Sequence, residues 1–297
     1  MRHAQAATRT ALVATLTVAS SQLRVAAATV HFVSSESGSD SASGASAADP
    51  WRSLFWAGRH VQQGDTLLLQ RQSVWVDDPL ETAVPGLTVA AYGNESLPRP
   101  LLQMGRTVNK RNSCASFTNA DGLTVRDVHV AGCTRGLFIQ PPSTHNASNV
   151  LVEGCLFQDI RAPFMDYAPA SPAWARAILV QGPDPDHCLR HNCATGNFMN
   201  LTIRNNIAAR VDVFFWSVAT FADGLTLDSN TVQQCSGNCY NLGRGANMLL
   251  QNSVMLRDTP ERLFLFGTTD VIVAGLSGHN SLLDNDFVSN FCFRALF

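Results

Sequence analysis

The densest run of reactive side chains lies at 182–193, GPDPDHCLRHNC, where Asp184, Asp186, His187, Arg190 and His191 fall close together. Two carboxylates at this spacing can hold a divalent cation such as Ca2+, and neighbouring imidazoles can act as acid and base on either side of a sugar carbon. The expected roles are metal binding for Asp184 and Asp186, and catalysis for His187, His191 and Arg190. The same run also fits a solvated loop clamped by a Cys188–Cys193 disulfide, or a zinc site of two cysteines and two histidines. An oxidising compartment favours the disulfide over the zinc. A second centre is Lys110-Arg111. Lys110 is the single lysine among 21 basic residues, so any lysine chemistry rests on it. It can take the proton next to a uronate carboxylate held by arginine or Ca2+, although such a pair is also what an exposed loop carries. A third set follows from strand alternation. With Val211 and Val213 inward, Asp212 points outward; with Tyr240 and Leu242 inward, so does Asn241; Arg262 precedes Leu263 in the same way. With Gln181 and Arg244 they would form a polar stripe that binds an extended polysaccharide, or simply the solvated face of a sheet. His129, His145 and His279 stand alone and read as structural. Trp174, Phe215 and Trp216 read as aromatic columns inside the molecule, with stacking on sugar rings as the alternative.

These residues must be positioned by a repeat. One eight-residue phrase recurs as LTVRDVHV from Leu123, VLVEGCLF from Val150, LTIRNNIA from Leu201, LTLDSNTV from Leu225, MLLQNSVM from Met248 and VIVAGLSG from Val271. The starts differ by 27, 51, 24, 23 and 23 residues, so one long insertion accounts for the only large gap. Each phrase is an apolar triplet followed, at its fifth position, by Asp127, Gly154, Asn205, Ser229, Asn252 or Gly275. These residue types tolerate left-handed or bent backbone at least cost, so each phrase reads as strand, corner, strand. Third strands are expected at Leu137–Ile139, Ile178–Val180, Val211–Phe215, Tyr240–Leu242 and Leu263–Phe266. A unit this short cannot bury its apolar face alone, and stacked units share one core. Leu123, Val150, Leu201, Leu225, Met248 and Val271 then form an aliphatic column, and Asn205 and Asn252 can extend an amide ladder at the corner. A leucine-rich repeat is the rival, but no helix-period segment separates the strands.

A chain of 297 residues, 45% hydrophobic, can bury a large core in one elongated domain. A net charge of −2 gives no electrostatic case for nucleic acid, and no later segment reaches the length of a membrane span. Arg2, His3 and Arg9, the apolar Ala11 to Ala19 and then Ala26-Ala27-Ala28 fit a secretory signal over 1–28, with an organelle transit peptide as the rival. An even count of eight cysteines and the sequons at Asn94, Asn146 and Asn200 favour a secreted or cell-surface glycoprotein. Three reactive-site signatures are missing: a serine-hydrolase elbow, a phosphate-cradling loop and a zincin motif.

In chain order, Thr29 to Val33 alternates like a strand, Trp51 to His60 suits a short helix, Gly64-Asp65 turns, and Thr66 to Leu69 is a strand. Val30 to Leu102, written VHFVSSESGSDSASG … PWRSL … QGDTLLLQR … W … AYG … PRPLL, resembles the opening of secreted right-handed parallel β-helix proteins of the pectate-lyase-like class. Gln63 stands where that family usually has proline. The resemblance implies an all-β, right-handed parallel β-helix solenoid with a short N-terminal capping strand and helix. On that reading 29–297 is one domain: 29–105 the cap and first rungs, 116–297 the regular rungs, with an insertion at 161–197. Phe287 to Phe297 either caps the coil or leaves it cut short. The string Asp184-Pro185-Asp186-His187 resembles, in scrambled order, the Asp-Pro-His-Asp signature of mannuronan C5-epimerases, so no role transfers from it. The paired aspartates and Gly-His-Gly of β-helix polygalacturonases are missing; Gly278-His279-Asn280 is only a fragment. The expectation is a monomer acting on an acidic polysaccharide as a lyase or C5-epimerase, by proton abstraction next to a uronate carboxylate. A non-catalytic glycan-binding or cell-surface structural protein is the alternative.

Overall fold

In the computed structural model every strand pairing within the three sheets is parallel, and the chain visits the sheets in rotation. The structure describes residues 27–105, 113–162, 175–182, 196–218, 220–236, 239–256, 261–265, 271–274, 277–278, 281–284 and 293–296. The first sheet runs from Val30–Val33 to Phe293–Leu296, the second from Leu80–Thr82 to Ser281–Asp284, and the third from Val74–Val76 to Ser277–Gly278. This is a parallel β-helix, and the single described helix, Leu54–His60, lies before the regular rungs rather than between strands. The leucine-rich alternative is thereby removed. Strand Phe293–Leu296 pairs with Val271–Ala274 and so extends the first sheet.

The corners follow from residue type. Asp127, Gly154, Asn205, Ser229 and Asn252 have φ of 58°, 63°, 55°, 54° and 50°, the left-handed region that the repeated fifth position requires. Just inside them runs the aliphatic column: Leu123, Val150, Leu201, Leu225 and Met248 are each 1% exposed or less. Val150 is in register with Leu201, and Met248 with Val271. The amide ladder, however, stands one residue after the expected Asn205 and Asn252. Those two reach Glu153 at 3.5 Å and Asp228 at 3.0 Å on the surface. The buried ladder is Asn206 and Asn230. Asn230 Oδ1 accepts from Asn206 N at 3.1 Å and Nδ2 at 3.0 Å, and Asn230 Nδ2 donates to the Ile203 carbonyl at 2.9 Å. Asn206 Oδ1 in turn accepts from Cys155 N at 2.9 Å. The residue after a left-handed corner turns inward, where an amide can satisfy backbone groups that the bend takes out of the ladder.

The helix begins at Leu54 rather than Trp51. Trp51 bridges to Val33, and Ser53 caps the helix by accepting from Trp56 N. The Asp78 carboxylate takes the Leu54 and Phe55 N–H groups at 2.8 and 2.9 Å, which satisfies two more of the free donors. Gly58 sets the approach: a Cβ there would lie 2.4 Å from the Glu81 carbonyl, so the helix seats directly on the first strand of the second sheet. Disulfides join Cys114 to Cys133 and Cys235 to Cys239. Cys155 is unpaired and buried, and that burial pushes its thiol up to about 12, so the even cysteine count does not mean complete pairing. The expected Cys188–Cys193 bridge lies outside the described residues.

Candidate functional site

Of the four expected binding residues, Asn241 and Arg262 lie in strands of the second sheet. Its inward row is Leu80, Ala115, Leu137, Ile178, Phe215 and Tyr240, each 1% exposed or less. Alternation sends the next residue of each strand outward: Glu81, Ser116, Phe138, Leu179, Trp216 and Asn241, in register on successive rungs. Phe215 is interior, as expected, and in register with Tyr240, whose ring meets that of Phe214 edge to face at 5.5 Å. Trp216 is not interior; it stands on the outer row.

Two arginines flank this row. Arg135 and Arg176 open consecutive strands and are direct register partners. The Arg135 guanidinium lies 4.6 Å from the Phe138 ring centre, and that of Arg176 lies 4.0 Å from Trp216. Stacking of this kind holds a guanidinium in one plane and strips part of its water. Among the described residues the buried Arg176 Nε has no hydrogen-bond partner. Burial, and then the like charge of Arg135, lower Arg176 to about 10, while Asp212 pulls the other way. The two cations stand on adjacent rungs, about 4.8 Å apart along the coil.

Asp212 does not belong to the expected exposed stripe. It is 7% exposed and sits between strands Ile207–Val211 and Val213–Val218, both of whose facing valines are buried. Its Oδ2 accepts from Ala162 N at 2.8 Å and Ala175 N at 3.0 Å, and Ser236 Oγ donates to Oδ1. One carboxylate therefore ties together the two ends of segment 163–174. Asn241 does lie on the outward row, in register with Trp216, but it is only 4% exposed, so it is covered rather than free to solvent. Arg244 stands between strands Tyr240–Leu242 and Gly245–Ala246, at the passage from the second sheet to the first, off the row altogether. Arg262 lies in strand Glu261–Leu265, two residues before Phe264, the register partner of Asn241.

Lys110, Asp184, Asp186, His187, Arg190 and His191, like Trp174 and His279, lie outside the described residues. The two ends of 183–195 are described. Gly182 N donates to the Val218 carbonyl at 3.1 Å, Gln140 Nε2 donates to the Gly182 carbonyl at 3.1 Å, and Thr220 Oγ1 donates to the Gly196 carbonyl at 3.1 Å. In sequence, residues 183–195 follow directly on Arg176–Gln181, the strand that carries Arg176 and Leu179. Among the described residues no group of three or more metal-ligating side chains occurs, and no helix is long and apolar enough to cross a membrane.

Sequence reasoning missed Arg135 and Arg176. The signal was present: both third strands open on arginine, as Arg135-Gly-Leu-Phe-Ile and Arg176-Ala-Ile-Leu-Val, which aligning the rungs on their third strands would have exposed. A separate cavity of about 550 Å3 lies at the early rungs, lined by Arg71, Glu95, Ser96, Leu97, Pro98, Arg99 and Asp127. Asp127 pairs with Arg71 and, at 2.8 Å, with Arg99. These pairs, with Arg71 donating to the Leu97 carbonyl at 3.3 Å, tie the loop around Leu97 to the Asp127 corner.

No protein-family model matches the chain, and neither does any curated protein. Among solved structures it is similar to the GH136 lacto-N-biosidase from Eubacterium ramulus, with a TM-score of 0.53 and 15% identity over 83% of this chain and 56% of that one. Weaker likenesses are to an alginate lyase from Paenibacillus sp. str. FPU-7, at 0.42, 12% identity, 77% of this chain and 94% of that one, and to a rhamnogalacturonan lyase, at 0.43, 11% identity, 84% and 56%. The chain thus spans little more than half the length of the lacto-N-biosidase structure. At such identities the likeness is one of fold.

Proposed function

We propose that this is an extracellular carbohydrate-active β-helix protein that engages an acidic polysaccharide along the outer face of its second sheet. The observation that carries the reading is the register pair Arg135–Arg176, each guanidinium stacked on an aromatic ring of the outward row. A carboxylate placed between them would offset their mutual repulsion and accept charge-assisted hydrogen bonds. Of the outward row Glu81, Ser116 and Trp216 reach solvent, whereas Phe138, Leu179 and Asn241 are covered, so glycan contact is expected beside the arginine pair rather than along every rung. That a glycosidase carries a similar fold is compatible with this but does not select the reaction. The disulfides Cys114–Cys133 and Cys235–Cys239 support an oxidising, extracellular setting.

For the reaction, the reading is proton abstraction next to the bound uronate carboxylate, by a lyase or C5-epimerase, with His187, His191 or Lys110 as base and Arg190 beside them. Ca2+ binding by Asp184 and Asp186 belongs to the same proposal. A non-catalytic glycan binder is the second reading, and one observation favours it: Asp212, the one carboxylate expected on the binding row, is committed to backbone hydrogen bonds. The protein, offered alginate, pectate and glycosaminoglycans, separates the two. Release of unsaturated uronate, or C5 inversion of the polymer read by NMR, with loss of either in His187→Ala, supports the enzyme. Retention on one of these polymers without product supports the binder. Absence of both retention and product, or retention unchanged in an Arg135→Gln/Arg176→Gln double variant, refutes the assigned face.

A further inference from the structure

The backbone nitrogen of Thr29 donates to a buried carboxylate at the start of the first sheet. Thr29 N lies 2.8 Å from Asp65 Oδ1, and the Thr29 carbonyl accepts from Thr66 N at 2.8 Å, where the first parallel ladder begins. Asp65 is 2% exposed. Its Oδ2 accepts from Gln62 N at 2.7 Å and faces His31 Nε2 at 3.1 Å. Among the described residues no arginine or lysine makes an ion pair with it; the imidazole of His31 is its one titratable partner. A buried carboxylate whose described partners are backbone donors and one titratable ring gains further from a full positive charge placed beside it. Ala27 and Ala28, immediately ahead, are exposed and belong to no strand.

We propose that the chain is cut between Ala28 and Thr29 and that the α-ammonium group so released pairs with Asp65. The inference rests on the extracellular placement given above. Ala26 and Ala28 are small residues at the third and first positions before the bond, the pattern that endopeptidases removing secretory leaders accept. Hydrolysis consumes one water: the Ala28–Thr29 C–N bond breaks, the carbonyl carbon of Ala28 becomes a carboxylate, and the Thr29 nitrogen gains protons to become an ammonium. A neutral N–H donor is thereby converted into a cation within hydrogen-bond distance of a buried anion, and charge-assisted bonds are about twice as strong as neutral ones. Among the described residues the cut removes nothing from the ladder, because Ala27 and Ala28 belong to no strand and the register begins at Val30. Strand Val30–Val33, the edge of the first sheet, is then pinned more firmly in the mature chain than in the precursor.

The pairing is tested on the chain starting at Thr29, released from a fusion that leaves a free Thr29 amine. It is compared with the same chain after Nα-acetylation and with a chain starting at Ala27. The free-amine form should melt about 2–4 °C above both others, and this advantage should vanish in Asp65→Asn. Equal melting temperatures for the free and acetylated chains overturn the pairing, as does an advantage that survives in Asp65→Asn. The cut site is read separately, by intact mass of protein exported from a secreting host with residues 1–28 as its leader. Thr29 as the first residue supports the cut, and any other first residue overturns it. Failure of export overturns the cut and the extracellular placement together, while the melting comparison still decides the pairing.

Discussion

Asp212→Ala separates a latch from a ligand-binding residue. In the folded chain this carboxylate accepts two backbone N–H groups, from Ala162 at 2.8 Å and Ala175 at 3.0 Å, and the Ser236 hydroxyl. It is 7% exposed, so water does not readily replace it. Truncation leaves both amides without an acceptor, at about 1–3 kcal/mol for each buried unsatisfied donor, or roughly 2–5 kcal/mol in all once the hydroxyl re-orients. That is a large part of the roughly 5–15 kcal/mol that holds a typical domain, yet it leaves most of the chain folded. Urea unfolding should show a lowered midpoint at unchanged slope, and limited proteolysis should cut faster within 163–174. Asp212→Asn keeps an acceptor oxygen for the two amides, and the Ser236 hydroxyl can accept from the new amide, so its loss should be about 1 kcal/mol. The reasoning fails if Asp212→Ala leaves stability within about 0.5 kcal/mol of the parent while abolishing polysaccharide retention. That result would return Asp212 to the substrate-binding row.

Arg176→Gln should leave the melting temperature unchanged or raise it, since it removes a partly buried like charge beside Arg135, while weakening polyanion binding at least tenfold; a clear drop in melting temperature would make Arg176 structural instead. Gly154→Ala should destabilise by about 1 kcal/mol through φ alone, because its new methyl would meet nothing within 4 Å, and Gly154→Asn should recover most of the loss in urea titrations. Burial holds the His129 imidazole below its ordinary value against the pull of Gln158. The unfolded chain then binds a proton that the folded chain does not, so stability is lost as pH falls through the ordinary histidine range, from about 6.5 downward. His129→Gln should flatten that acid limb in melting curves taken across pH, and an unchanged limb would place the acid sensitivity elsewhere.

The coil was legible from local preferences repeated once per turn. Asp127, Asn205, Ser229 and Asn252 adopt the left-handed corner their residue types allow, and the apolar triplet beside each becomes the aliphatic column, because every rung poses the same steric problem and solves it alike. Asn241 shares a register row with Trp216 but is covered, which alternation alone does not reveal. Alternation failed at Asp212 because parity counting assumes an unbroken strand, and Asp212 stands where one strand ends and another begins in a different sheet. The Asn206–Asn230 ladder, the latch across 163–174 and the Arg135–Arg176 pair join residues 24 to 50 apart. Their meeting depends on insertion lengths and on which rung stacks on which. No local rule carries that information, so only the stacked coil could decide it.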